Sequence, residues 1–403
     1  MEIKTKKNIA ILIDDYFPES TKVAAKMMHE LACELYNRGY QVTVFTPKVM
    51  KEPFRILSLD GIEVFQFKLG KIKNCSFIKR GINEALLPYK AIKYAGEFCK
   101  SKDFDLVINY SPTIFFGPFV NFIKKNSRAK SYLILRDFFP QWIIDNGMIK
   151  ENSLIARFFR FVENYNYRTA DVIGIQSPAN ISFFQQIHRE VYKTRLLYNW
   201  ADNLLPEGHC SLRDKYNLHG KVIFFYGGNI GTAQDMQNVL RLAKKLESFS
   251  DAHFLFVGDG DEVDLVEKAM TDSETKNITY LKSVPQEEFK LFLKEIDVGL
   301  FTLNKHHKSH NFPGKILGYM INKIPILGSV NVGNDLKETI EEYSAGYISI
   351  NGDDEQFYKN ALSILESKEL RSTMGLNAEK LYHSKFTVVA AVDEILSILE
   401  IKG

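Results

Sequence analysis

The stretch His306-His-Lys-Ser-His-Asn-Phe-Pro-Gly-Lys-Ile-Leu-Gly-Tyr-Met320 carries the most concentrated chemistry in this chain. The apolar run 298–301 before it reads as a buried strand, and the apolar periodicity after Pro313 predicts a short helix. Pro suits a first helical position, and Gly lets a ligand approach the backbone closely. Lys315 is then out of place, because a cation in the first turn opposes the helix dipole unless an anion sits between them. The segment predicts a diphosphate cradle made by Lys315 and the N–H groups of Gly314, Lys315 and Ile316. A plain loop-to-helix junction with a solvated lysine would give the same local pattern. His306, His307 and His310 fall within five positions, but no carboxylate or cysteine lies beside them, which argues against zinc.

Four further loops follow apolar runs. Run 9–13 leads into Asp14-Asp15, with Lys22 downstream. Those acids would accept protons or bind hydroxyls, although a helix start capped by Ser20 or Thr21 explains the same residues. Run 132–135 ends in Arg136-Asp137, a pair that grips a ligand or forms a structural salt bridge. Run 222–226 ends in Gly227-Gly-Asn-Ile-Gly231, which suits backbone contact with phosphate without being a G-x-G-x-x-G motif. Run 254–257 ends in Gly258-Asp-Gly-Asp261, read as a tight turn rather than a metal site.

The elements that must hold these loops alternate along the chain. Strand-like runs at 9–13, 42–46, 106–109, 132–135, 172–176 and 195–198 are separated by helical periodicity, for example over 23–35. After a linker-like stretch at 199–208 the pattern restarts with 222–226, 253–257, 278–281, 298–301, 325–328 and 346–350. Near-continuous apolar strands alternating with helices predict parallel sheets covered on both faces. The expected fold class is α/β, with two Rossmann-like, doubly wound domains. Their boundaries fall at 1–200 and 201–385, and a helix within 386–403 packs on one half or crosses back to the first. The 403-residue length agrees with two cores. Sheets of this kind bind ligands beyond the C-terminal strand ends, so the loops above are the places to look.

Cys33, Cys75, Cys99 and Cys210 lie far apart and support neither a disulfide framework nor a zinc site. The start of the chain has no signal-type apolar segment, and no run of 18 apolar residues occurs, so a cytoplasmic location is expected. The net charge of +3 hides an asymmetry. Residues 1–200 hold 30 Lys+Arg against 19 Asp+Glu, a net of +11, and residues 201–403 hold 22 against 30, a net of −8.

With these loops in place the chain resembles, over essentially its whole length, the two-domain GT-B glycosyltransferases of retaining family 4. Within that group it is similar to bacterial O-antigen and capsule enzymes of the L-fucosaminyltransferase type. The match is carried by Asp14-Asp-Tyr-Phe-Pro-Glu-Ser-Thr21, Tyr132-Leu-Ile-Leu-Arg-Asp-Phe-Phe-Pro-Gln-Trp142, Phe224-Phe-Tyr-Gly-Gly-Asn-Ile-Gly231 and His310-Asn-Phe-Pro-Gly-Lys-Ile-Leu-Gly-Tyr-Met320. The resemblance implies a UDP-sugar donor, an N-acetylated 6-deoxyhexosamine such as N-acetyl-L-fucosamine, and an acceptor saccharide on polyprenyl diphosphate. It implies no cofactor and no metal, and a front-face reaction in which the leaving phosphate takes the acceptor's proton. It assigns Arg136, Asp137, His310 and Lys315 to catalysis. Gly228, Asn229, Gly258, Val284, Asn311, Phe312, Gly314, Lys315 and Ile316 go to the donor, and Asp14, Asp15 and Lys22 to the acceptor side.

Two departures from the family pattern stand out. Its two glutamates, eight positions apart, are replaced here by His310 and Gly318, and its usual Arg/Lys pair is missing around 227–231. The departures shift diphosphate neutralisation towards Lys315 and backbone N–H groups. Competing readings are transfer of another UDP-N-acetylhexosamine, a UDP-sugar epimerase, and a donor-binding module without activity.

The segment 68–102 reads as a basic, partly amphipathic helical stretch suited to an anionic membrane surface. It holds nine Lys/Arg against Glu84 and Glu97, interleaved with apolar residues. No helix-turn-helix, zinc-finger or RNA-binding signature accompanies the charge, so nucleic acid is not the expected partner. The location expected from this is the inner face of the plasma membrane, held peripherally.

Overall fold

The computed structural model describes residues 7–20, 22–72, 76–145, 147–188, 191–202, 207–271, 276–306 and 312–400, without the side chains of Phe77 and Ile78. His307, His310, Asn311, Lys73, Cys75 and Thr21 therefore lie outside the described residues. The strands are β1 Asn8–Leu12, β2 Gln41–Lys48, β3 Phe54–Leu59, β4 Ile62–Lys68, β5 Leu106–Ser111, β6 Lys130–Leu135, β7 Val172–Ile175, β8 Thr194–Leu196, β9 Val222–Gly227, β10 Ala252–Val257, β11 Ile278–Leu281, β12 Val298–Thr302, β13 Ile326–Val330 and β14 Gly346–Ile350. The α-helices are α1 Val23–Asn37, α2 Phe77–Ser101, α3 Gly117–Ser127, α4 Gln141–Asp145, α5 Leu154–Thr169, α6 Pro178–Ile187, α7 Leu212–Lys215, α8 Met236–Lys245, α9 Val263–Thr271, α10 Gln286–Phe292, α11 Lys315–Ile321, α12 Leu336–Glu342, α13 Asp354–Glu366, α14 Lys368–Lys385 and α15 Val388–Leu396.

The chain divides into two compact units, 1–200 with 388–403, and 201–387. The first contains an eight-stranded sheet in the order β3-β4-β2-β1-β5-β6-β7-β8. Every neighbouring pair is parallel except the hairpin β3–β4. The second contains an all-parallel six-stranded sheet, β11-β10-β9-β12-β13-β14. Both follow from strands that are apolar on both faces and must be covered on both.

The expected run pattern agrees with the strands, with one omission. Residues 54–68 form a hairpin whose tip, Asp60-Gly61, takes positive φ at both positions. That pair, flanked by apolar residues, is a strong two-residue hairpin signal. A correction follows for the basic stretch 68–102. It is not one helix: Lys68 ends β4, and the helix begins only at Phe77.

In the first unit, α1 turns Met28, Leu31, Ala32 and Leu35 onto one face of the sheet at helical spacing. Each large side chain buried this way contributes about 1.5–3 kcal/mol. On the same face lies α15, which joins this unit although it ends the sequence. Arg38 donates to Asp393 at 2.5 Å and Arg195 pairs with Glu394 at 3.4 Å. The opposite face is covered by α2 and α3, with α5 and α6 further along. In the second unit the incoming and outgoing segments run side by side. Ala201 and Thr387 form a parallel bridge, and the Tyr382 hydroxyl donates to the Ala201 carbonyl at 2.7 Å. The crossing therefore falls at 200/201 and 387/388, two residues beyond the expected 385/386 boundary.

Candidate functional site

The site of the second unit forms where β9 ends. Gly228 has φ +110°, a value that favours glycine, and a side chain there would stand 3.8 Å from Lys315 Cε. Lys315, at the start of α11, lays its ammonium over the Tyr226 ring, 3.5 Å from the centroid. No carboxylate lies within 4 Å of that ammonium among the described residues, and burial holds its pKa well below the ordinary lysine value. The Gly228 N–H is spent on the Val257 carbonyl at 2.9 Å, so what this glycine supplies is room for the Lys315 stem. A partly buried cation on an aromatic face, with no matching acid among the described residues, is suited to an anion. The sequence supplied Lys315 and Gly228 separately; the fold brings them together and adds Tyr226. The Tyr226 hydroxyl donates to the Asn229 carbonyl at 2.7 Å, which fixes the loop over the ring.

The neighbouring candidates divide by task. Asn229 spends its side-chain amide on Gln234 at 2.6 Å, so its open group is backbone. At Gly258 an added Cβ would fall 1.8 Å from the Gly228 carbonyl oxygen, and at Gly260 one would fall 2.0 Å from that of Ile230. These glycines let the turn after β10 brace the loop after β9. Asp261 accepts from the Thr232 hydroxyl at 2.7 Å and from its N–H at 3.2 Å, which uses the second acid of the D-x-D pattern as a loop clasp. Asn304 donates to the Thr232 carbonyl at 3.0 Å and ties the exit of β12 to the same loop.

Phe312 is buried near Phe386, and Gly314 is exposed with open space at its Cβ position. The Ile316 N–H donates to the Pro313 carbonyl at 3.2 Å. That corrects the expected cradle, because the turn has already consumed this donor. Val284 is half-exposed on the loop after β11, two strands from β9 in sheet order. At Gly318, where the resembled family has its second glutamate, a Cβ would lie 3.1 Å from Leu293 Cδ1, so this helix face is closed by an apolar neighbour.

In the first unit the loops after β1, β5 and β6 meet. Asp14 and Asp15 line a cavity of about 330 Å³ with Glu19, Lys48, Gln66 and Lys71. Lys22 reaches Asp15 at 3.4 Å. Glu19 receives Lys48 at 2.9 Å, Arg55 at 2.5 Å and Gln66 at 3.2 Å. Burial pushes the Glu19 carboxyl up, but the bonds from Lys48 and Gln66 outweigh it and hold the pKa below the ordinary value. Tyr16, from the same loop, bonds to His29 Nδ1 at 2.8 Å, and His29 Nε2 reaches Asp60 at 2.9 Å. Lys48, Arg55 and Gln66 were missed in the sequence because they sit on β2 and the unread hairpin. The signal that could have found them was Asp60-Gly61.

Arg136 and Asp137 form no ion pair among the described residues, which removes the structural salt-bridge reading. Arg136 places its guanidinium 5.3 Å from the Trp200 ring centroid and one nitrogen 3.7 Å from Met27 Sδ, while its buried Nη1 has no hydrogen-bond partner among the described residues. Desolvation raises the Asp137 carboxyl, with Arg136 opposing. Tyr110, the fifth residue of β5, lies within electrostatic reach of Arg136, Asp137 and Asp14 together, and burial raises its hydroxyl pKa. The sequence reading stopped that strand at Asn109, one residue short of it.

Two units of parallel sheet, each with polar loops at its C-terminal strand ends, constitute the two-domain GT-B fold. The structure aligns with HepE of Anabaena in complex with UDP-glucose at a TM-score of 0.66, covering 98% of this chain and 99% of that one at 15% identity. Residues 211–381 match the family model described as glycosyl transferases group 1. A "probable glycosyltransferase WbjE" of Pseudomonas aeruginosa is 26% identical over 222 residues, covering 54% of this chain and 55% of the relative. A "putative colanic acid biosynthesis glycosyl transferase WcaI" of Escherichia coli K12 is 22% identical, covering 53% and 54%. The chain thus aligns with about half the length of these curated relatives.

Proposed function

We propose that this protein is a glycosyltransferase of bacterial surface-polysaccharide synthesis. It transfers an N-acetylated 6-deoxyhexosamine, N-acetyl-L-fucosamine, from UDP to a saccharide carried on polyprenyl diphosphate. The observation that carries the reading is the Lys315 ammonium, laid on the Tyr226 ring beside Gly228 with no acid to balance it among the described residues. A diphosphate supplies that balance, and the developing charge on a departing UDP supplies more of it. The match of residues 211–381 to glycosyl transferases group 1, and the likeness to a fold-mate that holds UDP-glucose, support the donor class. The names of WbjE and WcaI support the polysaccharide setting.

On this reading Lys315 and the backbone N–H groups of Gly314 and Asn229 hold the diphosphate; Gly228, whose own N–H donates to Val257, lets the loop pass close to Lys315, and Gly258 positions Gly228. His310 and Asn311 meet the donor sugar, with Phe312 and Val284 at the border of the donor site. Arg136 and Asp137 act in the transfer step; they feel each other and Tyr110 electrostatically but form no direct ion pair among the described residues. Asp14, Asp15 and Lys22 orient the acceptor over the 330 Å³ cavity. The leaving phosphate takes the acceptor's proton, so the stereochemistry is retaining and no metal is needed.

The protein binds anionic membrane peripherally, on the cytoplasmic side, through the exposed cations of 68–102. Four of those cations have partners: Arg80 with Glu84, Lys100 with Glu97, Lys102 with Glu63, and Lys68 with a backbone carbonyl. Lys79 and Lys93 remain exposed on α2. No helix among the described residues is long and apolar enough to cross a membrane.

Thermal melts with UDP, GDP, dTDP and CMP test the donor assignment. UDP at a hundredfold excess over its Kd should add about 2.7 kcal/mol, and the gain should vanish in Lys315→Ala. A shift with GDP or dTDP instead overturns the sugar assignment, and no shift with any nucleotide overturns the anion site.

A further inference from the structure

Helix α5 is amphipathic in the reverse sense for a surface helix. Its buried residues are Ala156, Glu163, Asn166 and Tyr167, two of them strongly polar. Its exposed face carries Leu154, Ile155, Phe158 and Phe161, with Leu154 81% and Phe161 70% exposed. Positions 154, 158 and 161 follow helical spacing, so they form one stripe that would ordinarily turn inward.

The orientation is locked. Ser153 caps the helix by accepting from the Ala156 N–H at 3.2 Å. Glu163 is fixed by Tyr167 at 3.0 Å and Arg160 at 3.1 Å, and Asn166 accepts from Asn109 at 2.9 Å. Turning the phenylalanines inward would break this buried network. Leaving them in water forfeits burial worth about 1.5–3 kcal/mol per large apolar side chain.

We propose that the outer face of α5 inserts into the headgroup region of an anionic phospholipid bilayer. The other exposed residues of α5 are Arg157 and Arg168, and the helix's single acid, Glu163, is buried. Large apolar groups interleaved with arginines and no exposed acid complement an anionic, greasy boundary. Trp142 of α4 is exposed just upstream, and its indole suits the interface. A second apolar stripe lies in the same layer of helices. α3 packs against both α2 and α5, and α2 exposes Ile82, Leu86 and Tyr89 among Lys79 and Lys93. One layer of helices therefore presents two apolar-basic faces. The inference extends the peripheral-membrane part of the proposed function and assigns its apolar anchor, which stands or falls separately from α2.

Flotation with vesicles containing or lacking phosphatidylglycerol, at low and high salt, tests it. Phe158→Ser with Phe161→Ser should lower partitioning into anionic vesicles about tenfold at either salt concentration, since apolar insertion is not screened. Binding of the parent should also blue-shift Trp142 emission; Trp200, 1% exposed, is the chain's other tryptophan and should stay silent. The shift should vanish in the double variant. Both substitutions are at exposed positions, and an unchanged melt confirms the fold. Unchanged partitioning of the double variant overturns the proposal. So does a loss of self-association with vesicle binding intact, which would give the face to a second copy. Lys79→Gln with Lys93→Gln should remove only the salt-sensitive part of binding. If that variant alone behaves like the parent, the α2 surface falls and the α5 anchor stands.

Discussion

The polar loops of the two units solve opposite electrostatic problems. In the first unit, charge is matched internally: Glu19 gathers Lys48, Arg55 and Gln66, and Lys22 meets Asp15. In the second, Lys315 stands on the face of Tyr226 without an acid among the described residues. A balanced set of donors and acceptors suits neutral hydroxyls, whose binding needs geometry more than charge. A partly buried cation without a matching acid suits an anion, because the ligand supplies the countercharge. Net charge misleads here. The unit built around the −8 part of the sequence holds the cation suited to an anionic partner, and the part with +11 holds a cavity whose acids Asp15 and Glu19 are met by Lys22, Lys48 and Arg55.

Removing Lys315 should break this contrast most sharply. Lys315→Met should cut transfer by about 10²–10³ and abolish stabilisation by UDP. The same variant should melt higher than the parent without nucleotide, since a buried charge has been replaced by an apolar chain of similar length. A lower apo melting temperature would show that the ammonium is balanced after all. The pH dependence has a definite sign. The folded pKa of Lys315 lies below its unfolded value, so the unfolded chain binds the extra proton and apo stability rises with pH between the two. UDP pulls the pKa back up, so its affinity should fall as pH rises through the free-state pKa, a trend absent in Lys315→Met.

Gly258→Ala is the next largest effect expected. Its Cβ would meet the Gly228 carbonyl at 1.8 Å, so the loop must move, at about 1–3 kcal/mol of stability and most of the UDP affinity. Gly314→Ala, with open space at that position, should leave the melt nearly unchanged and serves as the control.

In the first unit, Arg136→Met should lower kcat with little change in UDP binding, measured by transfer assay beside the nucleotide melt. Loss of UDP affinity instead would put Arg136 in ground-state donor binding. Tyr110→Phe, which keeps the ring and removes the hydroxyl from between Asp14, Arg136 and Asp137, should have a smaller effect in the same direction.

Glu19→Gln should be the mildest. Its partners are partly exposed, so the loss should stay under about 1 kcal/mol. Because the folded pKa is lowered, that contribution is present above the ordinary carboxylate value and fades as pH falls through the folded one. Acid melts of parent and variant should therefore converge.

Much of the scaffold was legible in the residues, for reasons that particular elements show. Strands such as Phe224–Tyr226 and Ile9–Ile11 are apolar on both sides, and only a parallel sheet covered twice hides them. β3 escaped notice because it is mostly exposed and carries Arg55 and Ser58 among its apolar residues, so its burial signal is weak. The glycines of 227–231 read as a phosphate-contacting loop and those of 258–261 as a separate tight turn. One of them is a brace for the other, a distinction that depends on a backbone contact across thirty residues. The expected cradle of backbone donors at 314–316 was overstated, since the short turn at Pro313 uses the Ile316 amide itself.

By itself the sequence determined the elements, their parallel order in two halves, and the loops where ligands would bind, because period and composition are local properties. Only the tertiary structure decided that Lys315 lies on Tyr226, that Tyr110 lies within electrostatic reach of Asp14, Arg136 and Asp137, and that α5 turns its phenylalanines outward. It also decided that α15 belongs to the first unit. Each of these depends on which side chains far apart in the chain share a volume from which water is excluded. That sets the worth of a charge or an apolar group, and no window of sequence contains it.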